Sequence, residues 1–342
     1  MEKGYRAAII GFGGMGQRHY AAYQKVGVNV VAICDWDKKK ISQILPDYPE
    51  EHAYDNYEKL IGNEDLDIIS VVTNGPTHAE IVIQAAEAGI KNILCEKPIA
   101  TNLRDAQKAI EVCHKHKSHL AVNHIRRWSP NHKKLKQMIS QGVIGDLRHI
   151  YFHCGSTGLG NLGIHVFDNM RFYTDSEVEW VIGFTDKTGT PNPRGPQFVD
   201  PGGYGILHFQ NGARAFIDTS EDTGVRHILE LVGRWGRVII EEWGNSWKAF
   251  ARSDADRKSP LTRYILPMEE IPFELEAEFD IPGLTCLAIK ELLEGGDISC
   301  DGEVAKKALE IVIAFHISDA DGNQKIYLPL TGDALDKDIP IA

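Results

Sequence analysis

No stretch of the 342-residue chain approaches the ~20 apolar residues needed to cross a bilayer, so a membrane-spanning protein is excluded and no membrane partner is expected. Cysteine is sparse and badly spaced for chemistry. Cys34, Cys95, Cys113, Cys154, Cys286 and Cys300 never form a C-x-x-C pair, which removes a zinc ribbon or a dithiol redox motif and leaves buried thiols of a reducing compartment. No metal site is expected. Positive charge is in deficit: 37 Lys and Arg against 48 Asp and Glu give a formal net charge of -11, and the isoelectric point is near 5.7. That balance speaks against a nucleic-acid partner, whose backbone selects a basic face. Internal repeats and low-complexity tracts are absent too. Met1-Glu2-Lys3-Gly4 leads straight into a strand-like run without an apolar leader, so a cytoplasmic location is the expectation.

What is present reads as an ordinary globular chain, 43% hydrophobic and 25% charged, and longer than one core usually organises. Ala7–Ile10, Val28–Cys34, Ile68–Thr73, Ile93–Cys95 and Leu120–Asn123 are short apolar runs separated by helical patterns such as Ala79–Ala88 and Asp105–His116. In the latter, Ala106, Ala109, Ile110 and Cys113 fall on one helical face. Repeated β-α-β units predict a doubly wound parallel sheet. After a further helix at Asn131–Gln141 the texture changes to strand candidates at Leu147–Cys154, Val178–Thr185, Tyr204–Gln210, Ala213–Thr219, His227–Val232 and Arg237–Ile240. Gln210-Asn211-Gly212 between two of them marks a hairpin. The expected architecture is therefore an α/β N-terminal domain over 1–125 and an α+β C-terminal domain over 126–342. The second carries a large, mostly antiparallel open sheet and late helices at Ile281–Leu293 and Glu303–Ile317. The proline- and glycine-rich segment Asp186–Gly203 reads as a long loop.

The first strand runs into Gly11-Phe12-Gly13-Gly14-Met15-Gly16, a G-x-G-x-x-G between strand and helix. Gly11 permits the turn, Gly13 admits a pyrophosphate and Gly16 lets helix and strand pack closely, while the helix N-terminus offers N–H groups to an anion. Asp35 closes the second strand nineteen positions after Gly16, where a carboxylate meets a ribose diol. A carboxylate there opposes a 2′-phosphate, so the cofactor expected is NAD rather than NADP. Lys38, Lys39 and Lys40 follow as a solvated helix face.

Taken in order, this loop, Asp35, His78, Glu96-Lys97-Pro98 and Gly163-Ile164-His165-Val166-Phe167-Asp168 make the chain resemble the Gfo/Idh/MocA oxidoreductases, the glucose-fructose oxidoreductase and inositol dehydrogenase group. The resemblance extends over nearly the whole length, with Gly202-Gly203, Phe209-Gln210-Asn211-Gly212 and the helix Ala305–Ile317 among its later parts. It implies that Lys97 and His165 flank the nicotinamide and the reacting carbinol, the imidazole taking a hydroxyl proton and the ammonium stabilising an alkoxide. It further implies cofactor contacts from Gly11, Phe12, Gly13, Gly14, Met15, Gly16, Asp35, Thr73, Asn74, His78, Glu96, Lys97 and Asn123. Substrate contacts are implied for Lys97, Asn161 and His165, with Asn161 and Asp168 counted beside the catalytic pair; Arg126 and Arg127, which follow the fifth strand near the expected active-site edge, are candidates to bind an anionic substrate or the cofactor, or else a solvated helix start. Asp168, three residues beyond His165, either orients the ring or is a capping carboxylate, and both readings stay open. Where the family commonly carries an aspartate four residues before the histidine, this chain has Asn161, which keeps hydrogen bonding but lacks the charge. Trp128, Trp243 and Trp247 are candidates for stacking on a sugar, and Gly155–Gly160 is either a place for close substrate approach or a flexible turn. The function implied is NAD-dependent hydride transfer at a carbinol of a sugar or polyol by a homodimer or homotetramer. The alternatives are NAD-assisted elimination or glycosidic cleavage without net redox, and a non-catalytic NAD or sugar sensor.

Overall fold

The computed structural model describes residues 4–155, 157–192, 195, 198–241 and 246–340; Ser156 of the glycine-rich loop, positions 193, 194, 196 and 197 of the proline-rich loop and Trp243 lie outside them. The chain forms two compact units: Met1–Trp128 with Asp280–Leu309 and Asp333–Asp338, and Ser129–Phe279 with Glu310–Gly332 and Ile339–Ala342.

In the first unit the apolar runs become strands and the amphipathic stretches helices: β1 (Arg6–Ile10), α1 (Gly14–Val26), β2 (Asn29–Cys34), α2 (Lys39–Ile44), β3 (Ala53–Tyr54), α3 (Tyr57–Asn63), β4 (Ile68–Val71), α4 (His78–Glu87), β5 (Asn92–Cys95), α5 (Leu103–His116) and β6 (His119–Val122). Among the described residues these strands form a six-stranded sheet in the order β3-β2-β1-β4-β5-β6, each pair parallel. Helices on both faces bury Ala7 to Ile10 and Ile68 to Val71 entirely, which is why these strands read as continuous apolar runs rather than alternating ones. The strand order reverses between β1 and β4, and the carboxyl ends beside that switch point are where ligands bind in such sheets.

The second unit begins with α6 (Pro130–Ser140), β7 (Leu147–His153) and α7 (Ile164–Thr174). It continues through β8 (Val178–Thr185), β9 (Gly203–Phe209), β10 (Arg214–Asp218), β11 (Ile228–Gly233), β12 (Gly236–Glu241), β13 (Ser246–Ala251) and β14 (Glu269–Ile271). After α8 (Ile281–Glu294) and α9 (Gly302–Ala320) comes β15 (Ile326–Tyr327), and the described strands pair in the order β14-β13-β12-β11-β7-β10-β9-β8-β15. Only β7 and β10 pair in parallel. Gly212, at φ +83°, makes the expected hairpin between β9 and β10. Leu229 and Leu231, Val238 and Ile240, and Trp247 and Ala249 are buried at every second position of β11 to β13. The intervening residues form the opposite face, as alternation requires. Phe315 of α9 fills the core under β8 and β9, where a Cβ on Gly183 would lie 2.5 Å from its ring.

The expected boundary after residue 125 falls near the Trp128/Ser129 division, while α8 and the first part of α9 return to the first unit. There α8 lies along α1, with Lys25 Nζ 2.6 Å from Asp280 Oδ2 and Trp128 Nε1 donating to Glu291 Oε1 at 3.0 Å. Among the described residues no helix is long and apolar enough to cross a membrane, and no group of three or more His, Cys, Asp or Glu is placed to hold a metal.

Candidate active site

Close backbone approach explains the glycine loop. Gly11 has φ +94°, and a Cβ there would meet the Val72 carbonyl oxygen at 2.5 Å; a Cβ on Gly16 would meet the Gly11 carbonyl oxygen at 2.1 Å. Gly13 and Gly14 are different: both are exposed, and a Cβ on either would have nothing within 4 Å. No side chain caps the N-terminus of α1, so its first N–H groups face this open side. Asp35, at the end of β2, is buried, its Oδ2 accepting from the Phe12 N–H at 2.8 Å and its Oδ1 from the Asp37 N–H at 2.9 Å. Each oxygen retains a lone pair for a hydroxyl. An uncapped helix end, an open glycine face and a fixed carboxylate fit a dinucleotide. Lys38 pairs with Glu50 at 3.6 Å, and Lys40 stands 3.8 Å from Asp35 and over the Trp36 ring.

The ends of β4, β5 and β6 bring the remaining first-unit residues to the same sheet edge. His78 is buried at the start of α4, its Nδ1 2.6 Å from the Pro98 carbonyl and its Nε2 2.9 Å from the Thr73 carbonyl, so it ties the loop after β4 to the loop after β5. Burial pulls its pKa below the ordinary imidazole value; the two carbonyls act in the opposite direction without reversing it. Thr73 and Asn74 lie in that first loop, where the Thr77 hydroxyl donates to Thr73 Oγ1 at 2.7 Å. Glu96 turns inward, accepting from His19 Nε2 at 3.0 Å, Asn123 Nδ2 at 2.7 Å and the Lys97 N–H at 3.3 Å. Arg127 sits half-buried in a 3-10 turn, Ile125–Trp128, after β6.

The second unit holds the other residues on one helical segment. A π turn, Leu159–Gly163, runs directly into α7, with the N–H of Gly163 bonded to the Gly158 carbonyl at 3.1 Å. Wide turns of this kind collect at functional sites. Asn161 and His165, one turn apart, are both half-buried. Asp200 fixes the start of the segment: its two oxygens accept from the N–H groups of Gly160 and Asn161 at 2.8 Å each. Asp168 is fully buried and 3.3 Å from Arg171 Nη1, and Arg171 extends to Glu177 at 2.7 Å.

Residues 5–124 match the oxidoreductase family with an NAD-binding Rossmann fold, and residues 151–239 match the GFO/IDH/MocA C-terminal domain. The uncharacterized oxidoreductase YrbE of Bacillus subtilis is 30% identical over 258 residues, 70% of this chain and 75% of that protein. The chain belongs to the Gfo/Idh/MocA family. The myo-inositol 2-dehydrogenase of Thermotoga maritima is 27% identical over 282 residues, 76% of this chain and 82% of that protein. Among solved structures, an oxidoreductase from Agrobacterium radiobacter in complex with NAD+, L-tartaric acid and magnesium superposes with a TM-score of 0.77 at 21% identity. That superposition covers 94% of this chain and 98% of the other, and at such identity it supports the fold.

Membership makes this chain an NAD-dependent oxidoreductase, and three side expectations change within it. Trp128 is 2% exposed and spends its N–H on Glu291, and Trp247 packs between His132 and Phe273, so both are core residues rather than sugar platforms. Gly155 and Gly158 are tightly packed rather than loose turn residues, since a Cβ would meet the Thr223 carbonyl oxygen or Asp200 Oδ2 at 2.0 Å. Two polar residues escaped the sequence reading. His19 carries a signal, a polar side chain three residues past Gly16 on the inward face of α1; Asp200 carries none, because its partners lie 39 and 40 residues away.

For the cofactor, Asp35→Ser is expected to weaken NADH binding and to narrow the NAD/NADP discrimination by about 1–3 kcal/mol, the scale of a hydrogen bond to a charged group. Serine can replace at most part of the bonding to Phe12 and Asp37, and it no longer repels a phosphate. Calorimetry with both reduced cofactors reads the ratio, and an unchanged ratio would count against Asp35 as the discriminating group.

Proposed function

We propose that this family member moves a hydride between nicotinamide and a carbinol carbon of a sugar, polyol or sugar derivative. The observation that carries the reading is the placement of Glu96-Lys97-Pro98 at the carboxyl edge of β5, its backbone fastened by Glu96, in a chain related to a myo-inositol 2-dehydrogenase. NAD supplies the hydride acceptor when bound. Lys97 stabilises negative charge at the substrate oxygen, and neutral His165 takes the hydroxyl proton on a ring nitrogen. Asn161 positions a neighbouring hydroxyl from the preceding turn. Asp168, committed to Arg171 inside the helix packing, anchors α7 rather than carrying a proton. Gly11 to Gly16 and Asp35 hold pyrophosphate and ribose, Thr73, Asn74 and Asn123 line the nicotinamide end, and Arg127 borders the substrate.

A panel of inositols, aldoses, keto-sugars and nucleotide sugars, followed by NADH absorbance, tests this directly. Stoichiometric NADH formation with at least one member is expected. A changed sugar without net NADH would replace the reading by NAD-assisted elimination, and NAD binding with no turnover anywhere would replace it by a sensor.

We also infer that a second copy covers the outward face of the large sheet. Tyr151 stacks on Phe216 at 5.1 Å and Tyr204 on Phe184 at 4.6 Å, and Tyr151, Tyr204, Ile228 and Tyr327 are all exposed on this unit. Aromatic and aliphatic side chains exposed on β7, β9, β11 and β15 suit isologous pairing. Light scattering should report a dimer or tetramer that Tyr151→Lys weakens; a monomer at assay concentration would overturn the inference.

A further inference from the structure

Next to Lys97 in the chain, Glu96 joins a row of buried polar side chains in the first unit, of which Tyr23, Ser70 and His19 have no part in the reading above. Tyr23 Oη is 2.8 Å from Ser70 Oγ, which is 3.0 Å from His19 Nδ1, and His19 Nε2 is 3.0 Å from Glu96 Oε1. Asn123 Nδ2 donates to the same oxygen at 2.7 Å and reaches Thr285 Oγ1 of α8 at 3.3 Å, while the Lys97 N–H donates to Glu96 Oε2. An ionised carboxylate only accepts, so Nε2 of His19 carries a hydrogen and donates to Glu96, while Nδ1 meets the Ser70 hydroxyl, which also meets Tyr23. Serine, histidine and carboxylate stand in the order of a hydrolytic triad. Ser70 and His19 are nevertheless 0% exposed, so no substrate meets the hydroxyl and the arrangement serves to hold.

Burial alone would raise the Glu96 carboxyl pKa, but the hydrogen bond and charge of His19, with Asn123 and Lys97, bring it down to about 2. The titratable groups that face it are His19 from α1, Lys97 and Cys95 beside it in the chain, and His78 from α4; β6 and α8 contribute the neutral Asn123 and Thr285.

We propose that His19 is a positioning residue of the reaction, fixing through Glu96 the backbone of Lys97 and the amide of Asn123, and tying both to the helix that opens at the glycine loop. The inference rests on the role given above to Lys97. Its physical basis is that one ionised oxygen pair satisfies three donors from three elements, so losing the central donor releases the others together.

His19→Leu removes that donor and strands a buried charge. kcat is expected to fall about 10- to 100-fold while the NADH Kd moves less than about threefold, since a displacement near 1 Å harms chemistry more than binding. His19→Gln, whose amide nitrogen can still reach Glu96, should recover most of the loss, which a merely packing role would not allow. Thermal stability supplies a readout that needs no substrate. In the native protein the Glu96 pKa lies below its unfolded value, so its contribution is complete above roughly pH 5 and is lost only towards the folded value. His19→Leu is expected to raise the folded pKa, because burial is then opposed only by Asn123 and Lys97, and a carboxylate left buried and ionised penalises the fold until falling pH protonates it. Hence His19→Leu should melt below His19→Leu/Glu96→Gln at about pH 8 and approach it at about pH 5. A pH-independent gap, equal losses in the Leu and Gln variants, or a kcat of His19→Leu within about twofold of the native enzyme would each overturn the proposal. If His19→Leu does not fold, Ser70→Ala takes its place: a severalfold lower kcat at unchanged NADH Kd is expected, and unchanged kcat overturns the proposal. If the native protein turns over nothing in the panel, the functional reading fails and the positioning role falls with it; if the native protein is active, the kcat and rescue comparison decides His19 separately.

Discussion

Lys97→Ala is expected to bind NADH within about threefold of the native affinity and to lose about 10²–10³ in kcat, the usual consequence of deleting one group that stabilises charge only in the transition state. The two effects separate because different atoms carry them. In this reading the uncapped end of α1, the open side of Gly13 and Gly14 and the Asp35 carboxylate would hold the dinucleotide, while the Lys97 ammonium acts at the substrate oxygen. Glu96, meanwhile, holds the Lys97 main chain and would remain ionised in the variant by virtue of His19 and Asn123. Lys97→Arg should recover only part of the loss, because a planar guanidinium presents its charge differently from a compact ammonium. Fluorescence titration of NADH beside steady-state turnover reads the separation, and near-native turnover in Lys97→Ala would remove the residue from the chemistry.

His165→Ala is expected to lower kcat/KM for alcohol oxidation by about 10²–10⁴ and to abolish one limb of its pH profile. Only the neutral imidazole accepts a proton, so activity rises with pH through that limb and reaches a plateau above it. Asn161→Asp, one turn earlier on the same segment, should move the limb to higher pH because a carboxylate favours the imidazolium. The Asp200 carboxylate already accepts from the N–H groups of residues 160 and 161, and this like charge opposes ionisation of an aspartate at 161, so the shift is read at pH values where the new carboxyl is ionised. The comparison requires a substrate whose chemistry limits the rate, established by a deuterium isotope effect on the transferred hydrogen. An unchanged profile in Asn161→Asp would mean that residue 161 positions substrate without tuning His165.

The glycine turn was legible residue by residue because its logic is local. Gly11, Gly13 and Gly16 answer to a turn that only three consecutive elements make, and Asp35 follows from the length of one helix and one strand. Glu96-Lys97-Pro98 and the segment bearing His165 were legible as family motifs. Glu96 shows where that legibility stops: the sequence places it beside Lys97 but does not say that its carboxylate turns inward to a histidine 77 residues away. Trp128 and Trp247 illustrate the same limit, since whether an indole faces solvent or core depends on Glu291 and Phe273, far along the chain.

By itself, then, the sequence determined the period of each element, the glycine turn, the carboxylate that closes β2 and the family motifs, all of which depend on neighbours within a few residues or one β-α-β unit. Only the tertiary structure decided that α8 and the start of α9 return to the first unit, that β13 extends the second sheet beyond β12, that Asp200 caps the segment bearing His165, and that His19 supports Glu96. The reason is physical: hydrophobic periodicity says that a face must be buried without saying against what. A buried polar atom likewise demands a partner, but the choice of partner emerges only when distant segments pack.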